Sequence, residues 1–114
     1  EIKGRKIEIE NFYERVTKFN FDELCNRNLG SEDYIAIADN SDFIFIKDLP
    51  NFNEDNSNQQ QRFIILIDII YEKNIPLMVT SEISLDKINS SKSLIEPFKR
   101  TVSRLYELTS MDYN

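Results

Sequence analysis

The sequence predicts a small, three-layer-like α/β domain with a parallel βαβ centre, amino-terminal β-hairpin-like strands and a carboxyl-terminal helix. Three observations carry that prediction. Two short apolar runs, Phe43-Ile44-Phe45-Ile46 and Leu77-Met78-Val79-Thr80, have the aromatic and β-branched character of strands buried on both faces. Between them, Phe63, Leu66, Ile67, Ile70 and Tyr71 recur at helical spacing opposite a narrow polar strip of Gln61, Asp68 and Glu72. Near the end of the chain, Phe98, Val102 and Leu105 form an apolar stripe with Thr101 and Leu108, while Glu96, Arg100, Arg104 and Glu107 follow another face.

Taken in order, Arg5 to Glu10 alternates, with Ile7 and Ile9 on one side, and Val16, Phe19 and Phe21 follow a polar turn, the pattern of a hairpin or two sequential edge strands. Asn20 or Asp22 is placed to cap a short helix over Asp22 to Arg27 with Leu24 and Cys25 inward. Gly30 breaks the chain, Ser31 is the expected N-cap, and Glu32 and Asp33 suit the positive end of a helix to Asp39 whose apolar side holds Tyr34, Ile35, Ile37 and Ala38. Phe43–Ile46 is the first central strand, and Lys47-Asp48-Leu49-Pro50 is expected to leave the sheet. Residues 51–60, NFNEDNSNQQ, read as a polar surface loop. A helix from Gln61 to Asn74 leads through Ile75-Pro76 into the second strand. Strand, helix and strand then form a right-handed parallel crossover over residues 43–80. Ser84 caps a short turn through Leu85 and Ile88, and a Ser-rich linker leads to the last helix, with Pro97 in its first turn.

Length and composition bound the function. At 114 residues the chain suits one domain, 1–114, with a single core. It is 40% hydrophobic and 30% charged, a globular rather than disordered balance, and its strongest apolar run, Phe63 to Tyr71, is too short to span a membrane. A net charge of −6 argues against broad nucleic-acid binding. One cysteine makes no internal disulfide, as suits a reducing compartment, and without histidine the usual zinc and iron ligand sets are out of reach, so no metal site is expected. The opening Glu1-Ile2-Lys3-Gly4-Arg5, with no methionine and no basic-then-apolar leader, reads as a fragment of a longer protein.

Little catalytic chemistry is available. The two glycines, Gly4 and Gly30, stand near no Lys-Ser or Lys-Thr pair, so no phosphate cradle can form within these residues. Serine nucleophiles lack a histidine base, and no catalytic residue is assigned. Buried Cys25 is expected to be a core residue and Asp68 a surface or salt-bridged one. A possible ligand crevice joins Asp48 to Thr80 and Ser81, which should emerge together at the carboxyl ends of neighbouring parallel strands. Two arginines at i and i+4 repel by roughly 0.2–0.5 kcal/mol, so Arg100 and Arg104 call for an anion: a carboxylate of this chain, a partner surface or a phosphate.

The punctuating residues carry a resemblance. Gly4-Arg5, Phe21-Asp22-Glu23-Leu24-Cys25, Leu29-Gly30-Ser31-Glu32-Asp33-Tyr34, Arg62-Phe63-Ile64 with Asp68 and Tyr71-Glu72, and Phe98-x-Arg100-Thr101-x-Ser103-Arg104-Leu105-x-Glu107 run in order through nearly the whole chain. Together they resemble the carboxyl-terminal domain of the P-loop ATPase family that includes the bacterial cell-division ATPase ZapE and the mitochondrial "ATPase family gene one"-like proteins. Gln61 stands where the family tends to have a second arginine, Leu108 replaces a usual methionine, and Leu85 to Ile88 lacks the common Leu-Tyr ending.

The resemblance implies a full-length ATPase, of the AAA+ kind, whose nucleotide-binding half lies upstream. ATP and Mg would be cofactors of that parent and none would bind this fragment, which should be inactive alone. Arg100, Arg104 and Arg62 become candidates for nucleotide or partner contact. The implied partners are the missing ATPase half, neighbouring subunits of a homo-oligomer and protein clients, in the cytoplasm for a bacterial relative and in mitochondria for a eukaryotic one. Two readings stand beside it: a stand-alone acidic protein-interaction module, and a small hydrolase using Asp48 or Asp68.

Overall fold

The computed structural model describes residues 15–110. Three parallel strands, β1 (Val16–Asn20), β2 (Phe43–Leu49) and β3 (Leu77–Ser81), form a sheet in the order β1-β2-β3. Four helices accompany them: α1 (Phe21–Cys25), α2 (Ser31–Asp39), α3 (Ser57–Lys73) and α4 (Ile95–Ser110). The predicted parallel βαβ centre is therefore β2, α3 and β3. The first arm of the expected hairpin lies outside the described residues, and the second arm is β1, which pairs in parallel with β2 from Val16 beside Phe43 to Asn20 beside Lys47.

Alternation along the strands builds one core. Ile44, Ile46 and Leu77 point to the same side and join Leu24, Tyr34, Ile67, Phe98 and other buried residues from all four helices. Val16 and Phe43, paired in register, are buried on the opposite face of the sheet. Phe45, on that same face, lies under the Lys18 ammonium at 5.5 Å from its ring centre.

Several boundaries differ from expectation, three of them for a clear local reason. The backbone N–H of Asn20 donates to Glu23 Oε1 at 2.8 Å, so α1 starts one residue early, at Phe21. Gly30 rather than Ser31 is the N-cap of α2, its N–H donating to Asp33 Oδ2 at 2.9 Å. Lys47-Asp48-Leu49 does not leave the sheet. Between the pairs Ile46–Val79 and Leu49–Ser81, β2 advances three residues while β3 advances two, a bulge that places Asp48 at φ 64°. Aspartate tolerates that left-handed region better than most side chains.

The largest difference is at residues 51–60, which are ordered. Phe52 is buried in an aromatic group with Phe21, Phe63 and Phe98, the last at 5.4 Å edge to face. Asn53 Oδ1 accepts the Asp55 N–H, and Asn56 Oδ1 accepts the Asn53 N–H, both at 2.8 Å, in a 3-10 turn over Glu54–Asn56. The helix α3 then begins at Ser57, four residues before the expected Gln61, and ends on Asn74 at φ 60°. Gln60 is fully buried because its amide is satisfied on both sides, donating to Ser90 Oγ at 2.7 Å and accepting the Ser91 N–H at 3.1 Å. Polar residues here order the backbone even where, as at Asn53, they face water.

Candidate functional site on the carboxyl-terminal helix

Phe98, Thr101, Leu105 and Leu108 bury the inner face of α4, as its 3.6-residue period requires, and Thr101 satisfies its hydroxyl on the Pro97 carbonyl at 3.2 Å. That docking turns one flank of α4 toward α3. On it, the Arg104 guanidinium forms an ion pair with Asp68 and lies over the Tyr71 ring at 4.6 Å. The Tyr71 hydroxyl donates to Glu107 Oε1 at 2.8 Å. This bond, then the Glu107 charge, raises the Tyr71 pKa above its ordinary 10.0, while Arg104 pulls the other way. Four side chains from two helices thus form a continuous chain of contacts across the α3–α4 seam.

Arg100, one turn earlier on the same side of α4, is exposed and makes no ion pair among the described residues. Glu96, a turn before it, is paired instead with Lys99 at 3.3 Å. The third candidate, Arg62, is half-buried and donates from Nη1 to the Cys25 carbonyl at 3.0 Å, satisfying the last turn of α1. Cys25 itself is fully buried, and burial pushes its thiol from the ordinary 9.0 up to about 12, so it is a packing residue rather than a nucleophile. Tyr34, raised for the same reason, donates to the Leu24 carbonyl at 2.7 Å.

Asp48, Thr80 and Ser81 do come together at the carboxyl ends of β2 and β3. The Asp48 N–H donates to Thr80 Oγ1 at 3.1 Å, Asn20 Nδ2 donates to Asp48 Oδ2 at 3.1 Å, and Ser81 Oγ donates to the Leu49 carbonyl at 2.9 Å. These bonds hold the bulge. Among the described residues, no group of three or more acidic or cysteine side chains is placed to hold a metal ion, and no helix is long and apolar enough to cross a membrane.

The opposite flank of α4 carries a feature that no motif announced, a groove of about 720 Å³. Ile95, Phe98 and Val102 form one wall, Leu85 and Ile88 the other, and Phe52 the floor. Its signal in the sequence was the spacing of Ile95 and Val102, seven apart beside the buried stripe, together with a phenylalanine inside an otherwise polar segment.

The comparisons with known proteins now bear on this helix. The sequence profile of the AFG1-like ATPases matches residues 1–114. The chain belongs to the AFG1-like ATPase family. It is 29% identical over 113 residues to the cell division protein ZapE of Escherichia coli strain K12, an alignment covering 99% of this chain and 30% of ZapE. It is 25% identical over 144 aligned positions to lactation elevated protein 1 homolog B of Danio rerio, covering 98% of this chain and 29% of that protein. An uncharacterised protein of Schizosaccharomyces pombe is 28% identical over 88 residues, covering 77% and 19% respectively. No solved structure matches the chain significantly. This AFG1-like chain therefore spans about 30% of the length of ZapE, and the helix carrying Arg100 and Arg104 lies inside the matched region.

Proposed function

We propose that this chain is the non-catalytic carboxyl-terminal domain of an ATP-hydrolysing, AAA+-like protein, and that α4 presents Arg100 to the nucleotide-binding half of that protein or to a neighbouring subunit. One observation carries the reading: of two arginines on one flank, Arg104 is held by Asp68 and Tyr71, whereas Arg100 is exposed and forms no ion pair among the described residues. A guanidinium held on a rigid helix is suited to a bidentate contact with a phosphate or carboxylate. ATP and Mg would be bound by residues outside this chain, which has no glycine-rich phosphate loop. Arg104, Asp68, Tyr71 and Glu107 hold α4 in place, so the position of Arg100 is set before any partner arrives. For a bacterial member the setting would be the cytoplasm, with the division machinery supplying protein clients; for a eukaryotic one it would be mitochondrial quality control.

The test uses the full-length protein. Arg100→Ala should lower ATP turnover by at least about tenfold, and by up to roughly 10³–10⁵ if the arginine contacts the transferring phosphate, without changing the melting temperature. Arg104→Ala should lower the melting temperature. Full turnover in the Arg100→Ala protein sinks the contact reading, and ATP hydrolysis by the purified chain alone sinks the non-catalytic one.

A further inference from the structure

A parallel sheet needs cover on both faces, because its strands carry apolar side chains on each. Among the described residues the helices cover one face only. Ile44, Ile46 and Leu77 join the core that α1, α2, α3 and α4 build, and on the same side Thr17 is hydrogen-bonded at 2.6 Å to Ser41, which donates to the Ile37 carbonyl of α2. The other face carries Val16 and Lys18 from β1, Phe43 and Phe45 from β2, and Met78 from β3.

That second face is not evenly open. Val16 and Phe43 are each 3% exposed, yet they stand outside the core that the helices form. Phe45 and Met78, farther toward the carboxyl ends of the strands, are only half-buried. Side chains stand perpendicular to a sheet, so its own strands do not hide them. The burial of Val16 and Phe43 therefore requires a further layer over the amino end of the sheet, one that stops short of Phe45 and Met78. The chain enters the sheet at that end. The Arg15 carbonyl accepts the N–H groups of Asp42 at 2.7 Å and Phe43 at 3.3 Å, so the residues before it lead away from beside the covered pair. Residues 111–114 are a poorer source of cover: they follow α4, on the helix side of the sheet, and at most about 14 Å of chain is too short to turn round its edge and reach β2.

We propose that residues 1–14 fold back over this face as a strap, with Ile7 and Ile9 seated on Val16 and Phe43. Their alternation suits an extended segment lying flat on a sheet, with the isoleucines inward and Lys6, Glu8 and Glu10 toward water. Residues 11–14 give the turn that reverses the chain before β1. Residues 5–10, about 20 Å long when extended, are enough to cross three strands spaced about 4.8 Å apart. Pairing as a further strand outside β1 is a different arrangement, because it puts Ile7 and Ile9 two strand spacings, about 10 Å, from Phe43 with β1 between. Lifting the strap bares Val16, Phe43 and Phe45 as one apolar patch. It lies across the sheet from α4, so its failure leaves the Arg100 reading untouched.

A double-mutant cycle in the whole chain tests the strap. Urea unfolding is measured for Ile7→Ala with Ile9→Ala, for Phe43→Leu, and for all three together, with circular dichroism confirming the fold. Each set alone should raise the unfolding equilibrium constant by about fivefold or more. The combination should fall short of the product by more than about threefold, because both sets remove the same contact. Lys6→Ala and Glu8→Ala, on the outward side, should each change the constant by less than about threefold. Below the transition, Ile7→Asp with Ile9→Asp should raise the fluorescence of the apolar dye ANS, as the patch is bared. Losses that multiply to within threefold overturn the proposal, and so does a coupling to Val16→Ala with none to Phe43→Leu, which is the outcome for a strand outside β1. Outward residues as costly as Ile7 and Ile9, or unchanged dye fluorescence, overturn it too. If a combination unfolds, Ile7→Val with Ile9→Val takes its place under the same threshold.

Discussion

The two flanks of α4 are built from the same sixteen-residue helix and differ in how completely they are satisfied. Toward α3, Arg104, Asp68, Tyr71 and Glu107 pair with one another, so each charge or hydroxyl on that seam has a partner. Toward the 85–90 segment, Ile95 and Val102 border an open groove, where Lys99 has an exposed bridge to Glu96 and the Lys92 N–H donates to Glu54. A polar seam specifies where the helix sits, because each group is directional and costly to leave unpaired. An apolar groove specifies less and leaves surface for another molecule. The seam flank therefore fixes the helix, while the groove flank is left open.

The substitution with the largest expected effect breaks what both flanks share. Phe52 packs against Phe21, Phe63 and Phe98 at 5.4–6.1 Å between ring centres and also floors the groove. Phe52→Ala should cost about 3–5 kcal/mol, a large part of the stability of a domain this size. Urea unfolding measures it, with Phe52→Leu recovering most of that stability. A change below about 1 kcal/mol would mean that residues 51–60 do not belong to the core.

Next in size, Arg104→Ala removes an ion pair and a cation–π contact, each partly shielded from water, and should cost about 1–2 kcal/mol, lowering the melting temperature by about 4–8 °C or more. Asp68→Asn should show part of the same loss. Applied together they should be less than additive, because each removes the same pair. Full additivity would separate the two residues and leave the seam without its centre.

These residues also show how far the sequence could be read. The apolar periods of β2, α3, β3 and α4 were visible because burial on one face leaves a pattern two, three or four residues long. Arg100 and Arg104 were visible as a pair, and Asp68 was on the sequence's polar strip, but which arginine it would engage depends on the rotation of α4 against α3. That rotation follows from packing contacts such as Phe98 on Phe52, which have no local signature. Residues 51–60 were misjudged for a related reason: Asn53 and Asn56 cap a turn at the surface and Gln60 satisfies backbone inside the fold, and composition does not distinguish either from a solvated loop. The groove needed three separate segments to meet, and the contact between Asp48 and Thr80 needed a bulge.

A smaller effect should appear on the alkaline side. The Tyr71 pKa lies above its ordinary 10.0, chiefly because its hydroxyl donates to Glu107. The folded state therefore holds this proton more tightly than the unfolded one, so its contribution is complete below pH 10.0 and is lost as pH rises through the folded value. Ultraviolet titration at the phenolate band should show two late-ionising tyrosines, Tyr34 and Tyr71, of which Glu107→Gln moves only Tyr71 down. The groove flank has no such donor, and Ile95→Ser should leave the titration unchanged. A Glu107→Gln protein with the same titration would show that the hydroxyl does not depend on that carboxylate.

The smallest expected effect bears most directly on the division of labour. Arg100 shares its side of α4 with Arg104 but makes no ion pair among the described residues, so Arg100→Ala should change stability by less than about 0.5 kcal/mol. The repulsion relieved is small because Asp68 already neutralises Arg104, and Glu96 is paired with Lys99. Denaturant midpoints for Arg100→Ala and Arg104→Ala, measured side by side, give the contrast. If the first falls as far as the second, Arg100 belongs to the seam and is no longer available to a partner. If only the second falls, the helix is held by one arginine and offers the other.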